Sequence, residues 1–269
     1  MTTFQIVELV LLGIGSGFLA GLLGIGGGMV LVPFLTYMFS AQGIDSELAV
    51  KMAIATSMAV IIFTSISSVR AHHKRGAVRW DIVKRLAPGI IIGSMIGSIG
   101  VFSLLKGSYL AIFFGLFVAF SATQMFLDKK PPPTRQLPGT GGQLLAGGVI
   151  GFLSGLVGAG GGFISVPFMA WCNVAIHTAV ATSAALGFPI ALANVTGYVY
   201  SGMSVSGLPS GSFGYISLPA LGLIAAASVC LAPVGARAAH SLPVKKLKRV
   251  FACMLYALAV YMFIKGVTA

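Results

Sequence analysis

Formal charges are so sparse along the chain that the gaps between them outline its elements. No Asp, Glu, Lys or Arg occurs between Glu8 and Asp45, between Lys51 and Arg70, between Arg85 and Lys106, or between Lys106 and Asp128. Each gap accommodates a helix of roughly 20 apolar residues, the length that crosses the hydrocarbon core of a bilayer. Between Arg135 and Arg237 there is no formal charge at all. Nothing in these runs alternates with a period of two, so the pattern predicts helices and argues against strands. Four apolar segments fall near 4–39, 49–71, 81–104 and 107–127, and four more near 142–171, 175–201, 213–236 and 248–265. The first of each set is too long for one straight span. A glycine cluster interrupts it, followed by Pro33 or Pro167, and a helix-break-helix or re-entrant hairpin is expected there.

The two sets are copies of one unit. Residues 17–35 (GFLAGLLGIGGGMVLVPFL) align without gaps on 151–169 (GFLSGLVGAGGGFISVPFM) with 12 of 19 positions identical, and Ala55-Thr56-Ser57 recurs as Ala181-Thr182-Ser183. Repeat 1 is therefore placed at 1–127 and repeat 2 at 142–269. A linker at 128–141, with three prolines at its centre, joins them. The fold class is an all-α polytopic membrane protein of 8 to 10 crossings, the lower number if each broken segment is one span.

Composition agrees: 57% of residues are hydrophobic and 8% charged, against about 25% charged in a soluble domain. The net charge of +12 could suggest nucleic acid. The basic residues, however, collect in three short stretches, 70–85, 129–135 and 237–249, which is the signature of cytoplasmic loops and not of a nucleic-acid surface. All three lie on one side only if each glycine-broken segment enters and leaves on the same side. Each half then makes an odd number of crossings, and the halves are inverted relative to one another. No Lys or Arg precedes the first apolar run, which reads as a retained membrane segment and not a cleaved signal. Cys172, Cys230 and Cys253 have neither disulfide nor zinc spacing and are expected as buried small hydrophobes. No metal and no cofactor are expected.

The features that carry chemistry are the two breaks, Gly24, Gly26, Gly27 and Gly28 in the first half and Gly158, Gly160, Gly161 and Gly162 in the second. Glycine permits positive φ and leaves backbone N–H groups uncovered. Irregular backbone at membrane depth must be buried by protein or line a cavity. The helix that restarts after each break offers its N-terminal N–H groups and dipole to an anion. Two such breaks meeting near the midplane would form a substrate cradle. The wider series Gly13, Gly17, Gly21 and Gly147, Gly151, Gly155 has the four-residue spacing of close helix packing. A nucleotide loop is excluded by Met29 at the third glycine position and by the lack of a Lys-Ser or Lys-Thr pair. Thr56, Ser57, Thr182 and Ser183 could donate hydroxyls to an oxyanion or bond their own helix carbonyls. Asn194 is equally readable as substrate contact or helix-helix glue. His72 and His73 read as part of the first basic loop. No Asp or Glu falls in the middle of a span, so a carboxylate proton relay is not supported.

The paired glycine-rich segments ending in Val-Pro-Phe, the Ala-Thr-Ser motifs, and the basic loop closing on 76–81 (GAVRWD) resemble the sulfite exporter TauE/SafE family, also called the toluene-sulfonate uptake permease family. That resemblance implies a transporter, read here as an exporter, of sulfur-containing oxyanions or organosulfonates such as sulfite in the bacterial inner membrane. The implied partners are a small anionic substrate and the lipid bilayer; nucleic acid is not among them, and a homodimer is compatible with the pattern. An anion channel built on the same cradle is the alternative. An intramembrane enzyme ranks below both, because it would need a catalytic His, Asp or Glu at membrane depth.

Overall fold

A computed structural model describes residues 3–24, 26–127, 135–239 and 244–268, the side chains of 244–248 excepted. The chain is helical almost throughout. In the first half α1 (Thr3–Leu23), α2 (Gly28–Ala41) and α3 (Ser46–His73) are followed by α4 (Trp80–Met95). Helix α4 passes through a π-helical stretch (Ile96–Val101) into a final turn, α5 (Phe102–Leu104), before α6 (Gly107–Leu127). The second half comprises α7 (Thr140–Val157), α8 (Gly162–Trp171), α9 (Ile176–Gly202), α10 (Leu218–Ala238) and α11 (Val244–Thr268). Eight helices among the described residues are long and apolar enough to cross a membrane, while α2 and α8 are shorter. Both expected interruptions are present, between Leu23 and Gly28 and between Val157 and Gly162. The prolines in the linker, Pro131 to Pro133, lie outside the described residues.

Local chemistry sets the element ends. Asp45 caps α3, its carboxylate accepting the N–H groups of Glu47 and Leu48 at 3.0 and 3.3 Å, which satisfies donors that no helical carbonyl reaches. Three expectations need correction. Pro33 and Pro167 do not break the apolar segments a second time after the glycines; they sit inside α2 and α8. Each costs one backbone hydrogen bond, a loss that membrane helices tolerate where neighbouring helices cover the freed group. The segment expected from residue 213 instead begins with a two-stranded antiparallel hairpin, Ser212–Phe213 against Ile216–Ser217, turned by Gly214 at φ +56°. Of the three cysteines only Cys172 is buried; Cys230 and Cys253 are exposed on helices whose outer faces are as apolar as their inner ones.

Packing exchanges elements between the halves. Helix α1 lies along α10, and α7 lies along α4. Small residues make both seams. The Gly13 backbone meets Ile224 and Ala227, Gly17 meets Ser228, and Gly21 meets Ala232, so α1 and α10 run parallel in register. In the other seam Gly147 faces Leu86, and Gly151 faces Ile90 and Ser94. Without a hydrophobic drive between helices in lipid, such backbone-to-backbone contact is a main source of association. Helices α6 and α11 run antiparallel, with Thr123 Oγ1 2.6 Å from the Tyr256 hydroxyl at one end and Gly266 against Ser108 at the other. The two longest helices, α3 and α9, pack on each other at the centre, and α2 and α8 lie against them.

Candidate functional site

The breaks are built from left-handed glycines. Gly24, Gly26 and Gly27 have φ of +67°, +74° and +75°, and Gly158 and Gly161 have +70° and +72°. Any other residue would be strained there by roughly 1–2 kcal/mol per position. Gly27 and Gly161 serve as the N-caps of α2 and α8 with nearly identical backbone, ψ −8° and −6°. The helices therefore restart in the same way in both halves, each with unpaired N-terminal N–H groups in its first turn.

The two breaks touch. A Cβ on Gly26 would sit 3.2 Å from Gly160 Cα, and one on Gly28 would overlap the Gly158 carbonyl and come within 3.1 Å of Ser57 Oγ. Each is also held by a serine of the opposite half: Ser57 Oγ donates to the Gly158 carbonyl, and Ser183 Oγ to the Gly24 carbonyl, both at 3.1 Å. The adjacent threonines are matched too. Thr56 Oγ1 accepts the N–H of Ser217 at 3.0 Å, and Thr182 Oγ1 accepts that of Arg79 at 3.1 Å, so each threonine fixes the residue that precedes the other half's α10 or α4. All four side chains are fully buried. Their hydroxyls hold backbone in this conformation and do not reach open space.

Beside the junction of the breaks is a cavity of about 10 Å³, room for roughly one water. Gly24, Gly26 and Gly160 line it together with Thr64, Ser65 and Ser68 of α3. Of the break glycines Gly26 is partly exposed, while Gly27, Gly28, Gly161 and Gly162 are buried. Thr64 and Ser65 return their hydroxyls to the carbonyls of Val60 and Ile62 at 2.9 and 3.0 Å. Ser68 Oγ has no hydrogen-bond partner among the described residues.

The remaining polar residues divide between site and scaffold. Asn194 is fully buried but does not line this cavity. Its Nδ2 donates to the Ile190 carbonyl at 2.8 Å, and its Oδ1 faces Gly155 of α7. His72, read from sequence as part of a loop, instead closes α3 as a buried residue with Nε2 3.2 Å from the Gly21 carbonyl. His73 does lie outside, its Nδ1 accepting the Trp80 indole N–H at 3.1 Å. Thr64, Ser65 and Ser68 escaped the sequence reading, although with His72 they follow Ser57 and Ile61 along one helical face at spacings of three and four. Lys51 escaped it as well. This half-buried residue donates to the Ser103 carbonyl at 3.2 Å, with its ammonium 5.6 Å from the Phe102 ring and 5.7 Å from that of Tyr215.

Apolar helices of spanning length arranged around two mutually braced interruptions define a polytopic membrane protein of the transporter class. The family model described as Sulfite exporter TauE/SafE matches residues 9–262, and the chain belongs to that family. It is 36% identical over 266 residues, covering 98% of this chain and 100% of the relative, to a probable membrane transporter protein of Haemophilus influenzae. A probable membrane transporter protein of Methanocaldococcus jannaschii is 28% identical, with 95% and 94% of the two chains covered. The probable membrane transporter protein YunE of Bacillus subtilis is 33% identical, with 72% and 77% covered. No solved structure matches the chain.

Proposed function

We propose that this membrane transporter exports sulfur-containing oxyanions or organosulfonates, such as sulfite, across the bacterial inner membrane, and that substrate passes where the two breaks meet. The observation that carries this reading is the junction itself. Gly26 and Gly160 touch, each break is tied to the opposite half by a serine, and a cavity lies beside them lined by hydroxyls and glycine backbone. Glycine backbone N–H groups and a hydroxyl donor suit an anion. With no charged side chain in the lining, they would hold it weakly enough to release it. The family description points to the same chemical class.

We also read the halves as inverted repeats. Helices α6 and α11, which hold the same place in their halves, run antiparallel, and the loop-charge argument requires the same arrangement. An anion leaving a cell with a negative interior gains about 2.3 kcal/mol per charge per 100 mV, so export can proceed without a coupled ion. The test is flux of radiolabelled sulfite, thiosulfate, an alkylsulfonate and sulfate in proteoliposomes, with and without an imposed voltage. Saturable flux of at least one sulfur anion, faster when voltage drives it, is expected. Absence of flux for all four would end the substrate assignment, and flux that follows a pH gradient while ignoring voltage would end the uncoupled mechanism.

A further inference from the structure

The two breaks are near copies, yet the space on their two sides is not. Along α3, Ser57 and Ile61 touch the breaks, and the cavity lies beyond them toward the basic-loop end, where Thr64, Ser65 and Ser68 face it. Continuing the register of the Ala-Thr-Ser motifs, α9 places Ile190, Ala191 and Asn194 at the corresponding positions. The opposing walls differ in the same sense. Ala184 and Gly187 of α9 line the cavity, whereas α3 carries Met58 and Ile61 at the matching positions. On that second side Met58, Ile61 and Ile190 are fully buried, and a Cβ on Gly161 would lie only 2.5 Å from Ile190 Cδ1. One side of the junction therefore has small walls and hydroxyls, and the other is filled by Met58, Ile61 and Ile190, with Asn194 turned to Gly155 of α7.

Ser68 gives the open side a chemical direction. It is 2% exposed, its Oγ lacks a partner among the described residues, and it lines the cavity. A buried hydroxyl without a partner costs stability, and of the buried hydroxyls left without one among the described residues Ser68 is the one that lines the cavity. Thr64 and Ser65 already satisfy their hydrogens within α3, so Ser68 is the hydroxyl with a proton to offer.

We infer that the cavity is the substrate-contact half of the transport site, that Ser68 donates a hydrogen bond to a bound sulfur oxyanion or sulfonate, and that in this conformation the site lies toward the basic-loop side, the Met58, Ile61 and Ile190 wall closing the other side until the helices rearrange. This rests on the anion-transport reading and adds to it the contact residue and the sidedness. At about 10 Å³ the cavity is smaller than any such anion. The structure is then an occluded state, and binding requires α3 and α9 to part on the side of the small residues.

The test uses the full chain in proteoliposomes, with saturable flux of [35S]sulfite and [35S]thiosulfate measured for the wild type, Ser68→Ala, Ser68→Thr and Ala191→Ser. Loss of a hydrogen bond to a charged ligand predicts a KM raised about tenfold or more in Ser68→Ala, with maximal rate and unfolding temperature near wild type. Ser68→Thr should recover much of the loss, and Ala191→Ser should change little. Separately, in a background lacking the three native cysteines, a membrane-impermeant maleimide should modify Ser68→Cys faster from the basic-loop side than from the other, and Ile190→Cys more slowly than Ser68→Cys from the basic-loop side, with ethanesulfonate slowing the first reaction. Active wild type with unchanged KM in Ser68→Ala would overturn the inference while leaving the function intact. Faster labelling of Ser68→Cys from the opposite side, or equal labelling of Ile190→Cys and Ser68→Cys from the basic-loop side, would overturn the sidedness. A wild type that moves neither anion and shows no ethanesulfonate protection would overturn the function and the inference together.

Discussion

Three glycines separate backbone strain from steric clash and so test how the breaks are held. Gly27 has φ +75°, and a Cβ there would lie 2.7 Å from the Ser16 carbonyl oxygen, a backbone atom that cannot swing aside. Gly43, in the turn between α2 and α3, has φ +79° with nothing within 4 Å, and Gly222 in α10 has neither positive φ nor a neighbour. Alanine at Gly43 should cost only the left-handed backbone, about 1–2 kcal/mol. At Gly27 a backbone collision adds about 1–3 kcal/mol. At Gly222 better helix propensity is worth up to ~1 kcal/mol in the stabilising direction. At roughly 2–4 °C per kcal/mol for a chain of this size, thermal unfolding in detergent should rank Gly222→Ala at or above wild type. Gly43→Ala should fall a few degrees below, and Gly27→Ala lower by about 5 to 15 °C. Gly161→Ala should fall between the last two, because φ is +72° there but the nearest obstacle is the flexible end of Ile190. The larger Gly27→Val and Gly161→Val should abolish flux while the protein still inserts. Coincident unfolding of Gly27→Ala and Gly43→Ala, with flux intact, would refute the view that the break is sterically locked.

Other perturbations follow from the same contacts. Ser57→Ala and Ser183→Ala each strand a buried glycine carbonyl and should each cost about 1–3 kcal/mol, read as lowered unfolding temperature. Ser183→Ala should be the worse of the two, since it also leaves Ser165 Oγ, now 2.7 Å away, without its partner. Tyr198→Phe removes the hydroxyl that donates to the Gly155 carbonyl and should destabilise by a similar amount, with the tilted ring contact on Phe102, 4.5 Å between ring centres, retained. Lys51→Met should cost about 1 kcal/mol through loss of the Ser103 hydrogen bond and the two aromatic contacts, whereas Lys51→Arg should cost less; thermal unfolding of both variants checks this.

The helix positions were legible because bilayer thickness sets a length and charges cannot sit within it. Most described helix ends fall within a few residues of those expected. The breaks were legible because little besides glycine accepts their backbone. Other features leave no such mark. Glycine series announce close packing but not the partner, so nothing in the chain says that α1 lies on α10. Serine and threonine in an apolar helix return hydrogen bonds to their own turn in most settings, as Thr64 and Ser65 do. The unpartnered Ser68 therefore looks the same in sequence as its neighbours. Pro33 and Pro167 read as breakers under rules for helices in water, whereas here the surrounding helices cover the lost bond. Cys230 and Cys253 faced outward unannounced, because lipid offers no polarity difference to betray which face is buried.

The exchange of helices between halves bears on assembly. Helix α1 leaves the ribosome well before α10, yet the surface its glycines fit belongs to α10. Until that helix is inserted, the glycine stripe of α1 can face only lipid or a surrogate. Neither half encoded alone should then persist, and a chain cut within the linker should survive only when both fragments are made together.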